Sequence, residues 1–223
     1  MSAAGVAVAP QMRPMQTALT GAQSACFATN FYHDRTYAKD AAKVLPGEYF
    51  VTGEDMMIVT TLGSCVSACI RDPDLAAGGL NHFMLPENGR EKGDSGPLSA
   101  AARYGTYAME LLINHLLKLG ARRNRLEAKV FGGGKVLPGF AATNVGQRNA
   151  EFVLNFLKAE QIRVTARDLV DVYPRKVCYF PVTGRVLVKR LNSLNDPGIV
   201  RRECEYERAL ASSRVDGGIE LFS

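Results

Sequence analysis

Apolar and polar positions follow two different periods along this chain, and the changes of period mark out its elements. Past the punctuation of Pro46-Gly47, short β-prone runs at residues 49–52 and 56–61 are followed by apolar runs at 65–70 and 79–85, with turn residues between them. Asp72-Pro73-Asp74 predicts a hairpin joining the last two runs, because proline presets φ at the second turn position and aspartate accepts a backbone hydrogen bond. Over residues 99–119 the period lengthens. Tyr104, Ala108, Leu111, Leu112, His115 and Leu119 recur at three- and four-residue steps, as on one face of a helix, and Gly120 ends it. Residues 126–131 predict a buried strand running into Gly132-Gly133-Gly134. A second amphipathic helix over 146–160 carries Phe152, Val153, Phe156 and Leu157, with Asn144 as its N-cap. Strands at 162–166, 176–181 and 185–191 complete the pattern, the last two joined by a turn at Thr183-Gly184.

Four strands before the first helix and three after the second do not make the regular alternation of a doubly wound parallel sheet. The order predicts an α/β chain of the α+β type, a single domain with a mixed β-sheet and packed helices. Residues 1–25, rich in Ala, Gly, Pro, Met and Gln, follow neither period and are expected to form a mobile tail. Together with a polar, partly aromatic stretch they make up an N-terminal extension over 1–44, ahead of a folded domain over 45–193. Beyond Asn195-Asp196-Pro197-Gly198 a charged C-terminal extension, 194–223, carries a short helix near 200–210.

Composition narrows the class. At 223 residues, 47% hydrophobic and 22% charged, the chain suffices for one domain with a full core. No run approaches the roughly 18 apolar residues of a membrane span, and the N-terminus lacks a basic region followed by an apolar stretch, so a cytoplasmic protein without membrane insertion is expected. The net charge of +5 is spread among interspersed acids, which gives no indication of a nucleic-acid partner. Five cysteines at irregular spacings argue for reduced thiols rather than a disulfide framework. No second Cys or His pair complements Cys65 and Cys69, so neither a structural zinc nor any other cofactor is expected.

Local composition points to one stretch for chemistry, Thr60-Thr61-Leu62-Gly63-Ser64-Cys65. A small Gly-Ser lead-in lets backbone N–H groups approach a substrate oxygen and presents the cysteine at the edge of a strand. With the hairpin centred on Pro73-Asp74, residues whose numbers sum to 147 face each other, which pairs Cys65 with His82. An imidazole beside a thiol can convert it to the nucleophilic thiolate and hold the proton for the leaving group. Cys69, about 13 Å further along the strand, sits among core residues. Cys178, Cys26 and Cys204 have no histidine placed near them; His115 belongs to the helix face and His33 to the N-terminal extension. Gly132-Gly133-Gly134-Lys135 lacks the hydroxyl residue and the upstream glycine of a phosphate loop, and reads instead as a tight loop at the rim of the site.

Several motifs in the same order carry a family likeness. Leu62-Gly63-Ser64-Cys65-Val66, Gly78-Gly79-Leu80-Asn81-His82-Phe83-Met84-Leu85-Pro86 and Leu126-Glu127-Ala128-Lys129-Val130-Phe131-Gly132-Gly133 together resemble the CheD family of chemoreceptor glutamine deamidases. The likeness continues through residues 108–114, Arg148-Asn149 and Thr183-Gly184-Arg185-Val186, and covers about residues 45–191. It implies a fold similar to cytotoxic necrotizing factor-like cysteine hydrolases and a Cys-His pair falling on Cys65 and His82. The family's third site residue is a threonine just before the Leu-Gly-Ser-Cys run; Thr60 and Thr61 compete for it, with Thr60 preferred. The implied substrates are glutamines on methyl-accepting chemotaxis receptors, and a CheC-like phosphatase is a second implied partner; the chain is expected to act as a monomer. Asp168-Leu169-Val170-Asp171-Val172-Tyr173-Pro174 departs from the glycine-rich stretch of many relatives.

Two other classes compete. A receptor methylesterase or a peptidase would use the same pair but release methanol or shorten its substrate instead of releasing ammonia. A non-catalytic regulatory binding module would keep its function after Cys65→Ala.

Overall fold

The computed structural model describes residues 27–86, 100–135, 145–191 and 197–212. In chain order the strands are β1 (Asn30–Asp34), β2 (Lys39–Lys43), β3 (Tyr49–Thr52), β4 (Met57–Leu62), β5 (Val66–Asp72), β6 (Ala77–Asn81), β7 (Glu127–Gly132), β8 (Arg163–Leu169), β9 (Arg175–Phe180) and β10 (Arg185–Arg190). Helix α1 (Ala100–Lys118) follows β6, α2 (Val145–Ala159) follows β7, and α3 (Pro197–Ser212) closes the described chain. Strands and helices thus form the α+β arrangement that the pattern predicts, with the strands divided over two five-stranded sheets, β1-β2-β4-β9-β10 and β3-β6-β5-β7-β8. Each sheet is mixed: β2–β4 and β7–β8 pair parallel and the other neighbours antiparallel. The polar stretch ahead of Pro46 supplies β1 and β2, and β2 lies alongside β4.

Alternation along the strands decides what meets what, since successive side chains point to opposite faces. On β5, Val66, Ala68 and Ile70 join the core built with Met109, Leu112 and Leu116 of α1 and Val153 and Leu157 of α2. Fully burying each of the larger aliphatic side chains contributes about 1.5–3 kcal/mol, so this layer fastens both helices to the second sheet. The opposite face carries Cys69, with Cys65 just before the strand; it packs on Ile58 and Leu62 of β4 and Val177 and Tyr179 of β9. The molecule is therefore layered helix, sheet, sheet, and odd-numbered residues of β5 point between the two sheets.

The hairpin register corrects one expectation. β5 and β6 pair as Cys69↔Leu80, Ile70↔Gly79 and Asp72↔Ala77, and the bridge Val66↔Phe83 extends the same register. The paired numbers sum to 149, because the turn runs from Pro73 to Ala76, with the Ala76 N–H donating to the Pro73 carbonyl at 3.3 Å and Ala76 at φ 53°. Cys65 and His82 are thus diagonal neighbours, not directly opposed. A slip of two keeps both side chains on the same face, whereas a slip of one would have separated them.

After β8 the chain kinks at Val170 and Asp171, both in the left-handed region at φ 67° and 75°. Glycine takes this backbone without penalty, whereas Val170 and Asp171 adopt it with a side chain attached. The expected tail at 1–25, Cys26 and the N-cap at Asn144 lie outside the described residues.

Candidate active site

Three strands bring three side chains together between the sheets. Thr60 shares with Ile58 and Leu62 the face of β4 that looks toward the second sheet, Cys65 opens β5, and His82 follows β6. All three are buried, Cys65 at 0%, His82 at 1% and Thr60 at 1% exposure. The Thr60 hydroxyl lies 2.8 Å from the Val44 carbonyl and 2.8 Å from Nδ1 of His82. The carbonyl can only accept, so the single hydroxyl hydrogen goes to it, and Oγ1 accepts from Nδ1–H. That network assigns the tautomer, leaving Nε2 with its lone pair free, and Nε2 has no hydrogen-bond partner. Of the two threonines in the run, Thr60 is the one that meets the imidazole; Thr61 sits half-buried on the other face.

The loop Gly63-Ser64-Cys65 is held on two sides by different parts of the chain. Its carbonyls are all tied to the body of the domain. Gly134 N–H donates to the Gly63 carbonyl at 2.7 Å and Gly133 N–H to the Cys65 carbonyl at 2.8 Å, while Asn149 of α2 donates Nδ2–H to the Ser64 carbonyl at 2.9 Å. The other end of the Asn149 amide accepts from the Leu85 N–H at 2.9 Å, linking the loop to the segment after His82. The triple glycine is needed for this approach: Gly132 has φ 110°, and a Cβ there would stand 2.2 Å from the Cys65 carbonyl oxygen. Arg175, wholly buried, fixes the far side of the glycine loop by donating to the Gly132 and Val170 carbonyls and pairing with Asp168.

The loop's N–H groups all point to one residue, Glu203 of α3. Gly63 N–H and Cys65 N–H donate to its Oε1 at 2.8 and 3.2 Å, and Ser64 N–H and the Ser64 hydroxyl to its Oε2 at 2.9 and 2.6 Å. Glu203 is 2% exposed, and one carboxylate oxygen, the Cys65 sulfur and a ring nitrogen of His82 lie within 4.8 Å of one another. Among the described residues this trio has the donor types of a zinc site. Each carboxylate oxygen, however, already accepts two hydrogen bonds, which uses its lone pairs and leaves the carboxylate serving the backbone rather than a metal.

Electrostatics describe a resting pair. Burial pushes the Cys65 thiol well above the ordinary range, and the Glu203 carboxylate beside it adds to the rise. Burial likewise pushes His82 down to about 3, with Arg202 contributing, against a hydrogen bond toward Val44. A neutral thiol beside a neutral imidazole is the dominant state while Glu203 is in place. The other candidates lie elsewhere. Cys69 is buried between the sheets with its thiol raised by burial, and Cys178 lies in β9 within the core on the outer face of the first sheet. His115 packs against Tyr49 and Phe27, and His33 pairs with Asp40 at the surface.

Comparison with known proteins bears on this arrangement. A family model described as CheD chemotactic sensory transduction matches residues 84–190. A probable chemoreceptor glutamine deamidase CheD from Janthinobacterium sp. (strain Marseille) is 65% identical over 197 residues, covering 88% of this chain and 96% of the relative. Similar proteins of the same description occur in Herminiimonas arsenicoxydans, 64% identical over 197 residues with the same coverage, and in Dechloromonas aromatica (strain RCB), 60% identical over 196 residues, covering 87% of this chain and 95% of the relative. The chain belongs to the CheD family. The family model starts just past His82, but a match of 197 residues in a chain of 223 must span the segment holding Thr60, Cys65 and His82.

Sequence reasoning missed Glu203, Arg175 and the double grip of Asn149. Glu203 meets the loop across 139 residues of chain, and one acid among several in a charged helix carries no local signal. Arg148-Asn149 did stand out in the likeness, without indicating what the amide holds.

Proposed function

We propose that this CheD-family chain is a protein-glutamine deamidase acting on chemoreceptors, with Cys65 as nucleophile, His82 as proton carrier and Thr60 as the residue that orients the imidazole. The observation that carries the reading is the convergence of three side chains from separate strands beside three backbone N–H groups aimed at one point. Nε2 of His82 takes the thiol proton, and the Cys65 sulfur attacks the side-chain amide carbon of a bound glutamine. The oxygen, now an oxyanion, accepts from the N–H groups that Glu203 otherwise occupies. The imidazolium, steadied by Nδ1–H donation to Thr60, returns its proton to the amide nitrogen; the C–N bond breaks and ammonia leaves. Water, deprotonated by Nε2, then attacks the thioester, and the products are a glutamate side chain and the restored thiol. A neutral amide in place of the Glu203 carboxylate also removes the charge that adds to the effect of burial in keeping the thiol protonated.

The substrate class rests on the names of the relatives, which are chemoreceptor glutamine deamidases. Among the described residues no helix is long and apolar enough to cross a membrane. A cytoplasmic monomer acting on receptor cytoplasmic regions, with a CheC-like phosphatase as a further partner, completes the proposal. Incubation of a receptor cytoplasmic fragment with wild type and with Cys65→Ala tests it. Ammonia release and glutamine-to-glutamate conversion by wild type only are expected; methanol release or backbone cleavage would replace this reading with an esterase or a peptidase.

A further inference from the structure

In this structure the nucleophile loop is covered by α3, the last helix of the described residues. A carboxylate with both oxygens on the nucleophile loop, within 4.8 Å of the thiol and the imidazole, stands where a reacting side chain must stand. Its chemistry is that of the reaction product, since deamidation turns a glutamine side chain into the one Glu203 already has. The residue is also presented in a particular way. On α3, Ile199 and Glu203 are buried and Tyr206 half-buried, at spacings of four and three residues, so a single helix face enters the groove with the carboxylate at its centre. Tyr206 lies over Gly47, where a Cβ would come within 2.9 Å of its ring, and its hydroxyl meets that of Tyr104.

The docking of α3 differs from that of the other helices. α1 and α2 lie closely against strands of the second sheet, whereas α3 makes no comparable backbone approach to any strand or helix among the described residues. Side chains seat it, among them Glu203 on the nucleophile loop, the buried Ile199, and Tyr206 over Gly47 and against Tyr104. Beneath it Cys65 and His82 are 0% and 1% exposed, so no external side chain reaches them while α3 is seated.

We infer that α3 is a substrate mimic in cis: it occupies the groove that receives a glutamine-bearing helix of a second polypeptide, with Glu203 in the place of the reacting side chain, and it must leave before that helix binds. The inference rests on the deamidase reading and adds to it a built-in competitor for the substrate's place.

The full-length chain carrying Glu203→Gln provides the test. This substitution places an amide on the oxyanion donors beside Cys65, and the enzyme should convert it back to the acid, detected by peptide mass spectrometry at position 203. Conversion is expected at a rate unchanged by tenfold dilution, and it should be abolished by adding Cys65→Ala. Glu203→Ala, which vacates the donors, should raise kcat/KM on a receptor cytoplasmic fragment about tenfold, because apparent affinity is reduced by the fraction of molecules with the groove closed. It should also speed alkylation of Cys65 by iodoacetamide. An amide persisting at position 203 in an enzyme that still converts receptor glutamines would overturn the inference and leave the deamidase reading standing. Conversion proportional to protein concentration would likewise overturn occupancy in cis. Absence of receptor conversion by every form would instead remove the deamidase reading.

Discussion

Two helices reach the same three-residue loop from opposite sides and treat it differently. α2 sends Asn149 to the carbonyl side, as part of a helix whose Val153 and Leu157 are sealed into the main core. α3 sends Glu203 to the N–H side from a charged helix held by side chains. The carbonyls of Gly63, Ser64 and Cys65 are committed to the fold, while their N–H groups are committed to a residue that can be exchanged for a ligand. A buried donor left bare costs about 1–3 kcal/mol, so an oxyanion site at rest needs something to fill it. Glu203 meets that need and in doing so closes the site.

The sharpest way to break this contrast is to compare Asn149→Ala with Glu203→Ala. Asn149 is wholly buried and holds two backbone groups, and its removal should cost about 3 kcal/mol in urea unfolding and abolish activity. Glu203→Ala should cost less, because water reaches the donors of Gly63, Ser64 and Cys65 once α3 lifts, and should raise activity; equal stability losses with activity lost in both would make the two helices equivalent. A smaller effect is expected at Thr60. Thr60→Val removes the acceptor for Nδ1–H and should lower kcat about tenfold or more with KM little changed, and Thr60→Ser should recover most of it. Loss of stability without that rescue would mean that Thr60 only packs.

The pH dependence follows from His82. Its folded value, about 3, lies below the ordinary 6.5, so below pH 6.5 the unfolded chain binds a proton that the closed structure refuses. Stability from this group is complete above 6.5 and falls as pH drops toward 3, by at most about 1.4 kcal/mol per unit. Urea melts at pH 7 and pH 5 should therefore show a larger loss for wild type than for His82→Gln; parallel losses would refute the assignment. The smallest effect concerns the scaffold beneath the carbonyl side. Val170 donates its N–H to the Gly132 carbonyl at 2.8 Å from a left-handed backbone, which is costly for a β-branched residue. Val170→Gly should gain about 0.5–1 kcal/mol of stability with activity unchanged; a loss would show that the side chain's packing outweighs the strain.

Part of the site was legible locally, because the Gly-Ser lead-in and the Asp72-Pro73-Asp74 hairpin single out Cys65 and His82, whereas Thr60 stands out only through the family likeness. The direct opposition of Cys65 and His82 was not, since the four-residue turn Pro73–Ala76 shifts the register by two, and only the even size of that shift preserved the shared face. The division into two sheets was likewise hidden, because local periodicity does not say which strands pair. Glu203 was least legible of all. A carboxylate in a charged helix looks like solvated surface, and only long-range folding converts it into the partner of three consecutive N–H groups.

Quantitative mass spectrometry of a receptor cytoplasmic fragment incubated in parallel with wild type, Cys65→Ala and Glu203→Ala separates catalysis by Cys65 from its restraint by Glu203. The expected order is fastest glutamine-to-glutamate conversion with Glu203→Ala, slower conversion with wild type and none with Cys65→Ala. Equal conversion by wild type and Cys65→Ala would mean that Cys65 is not the nucleophile.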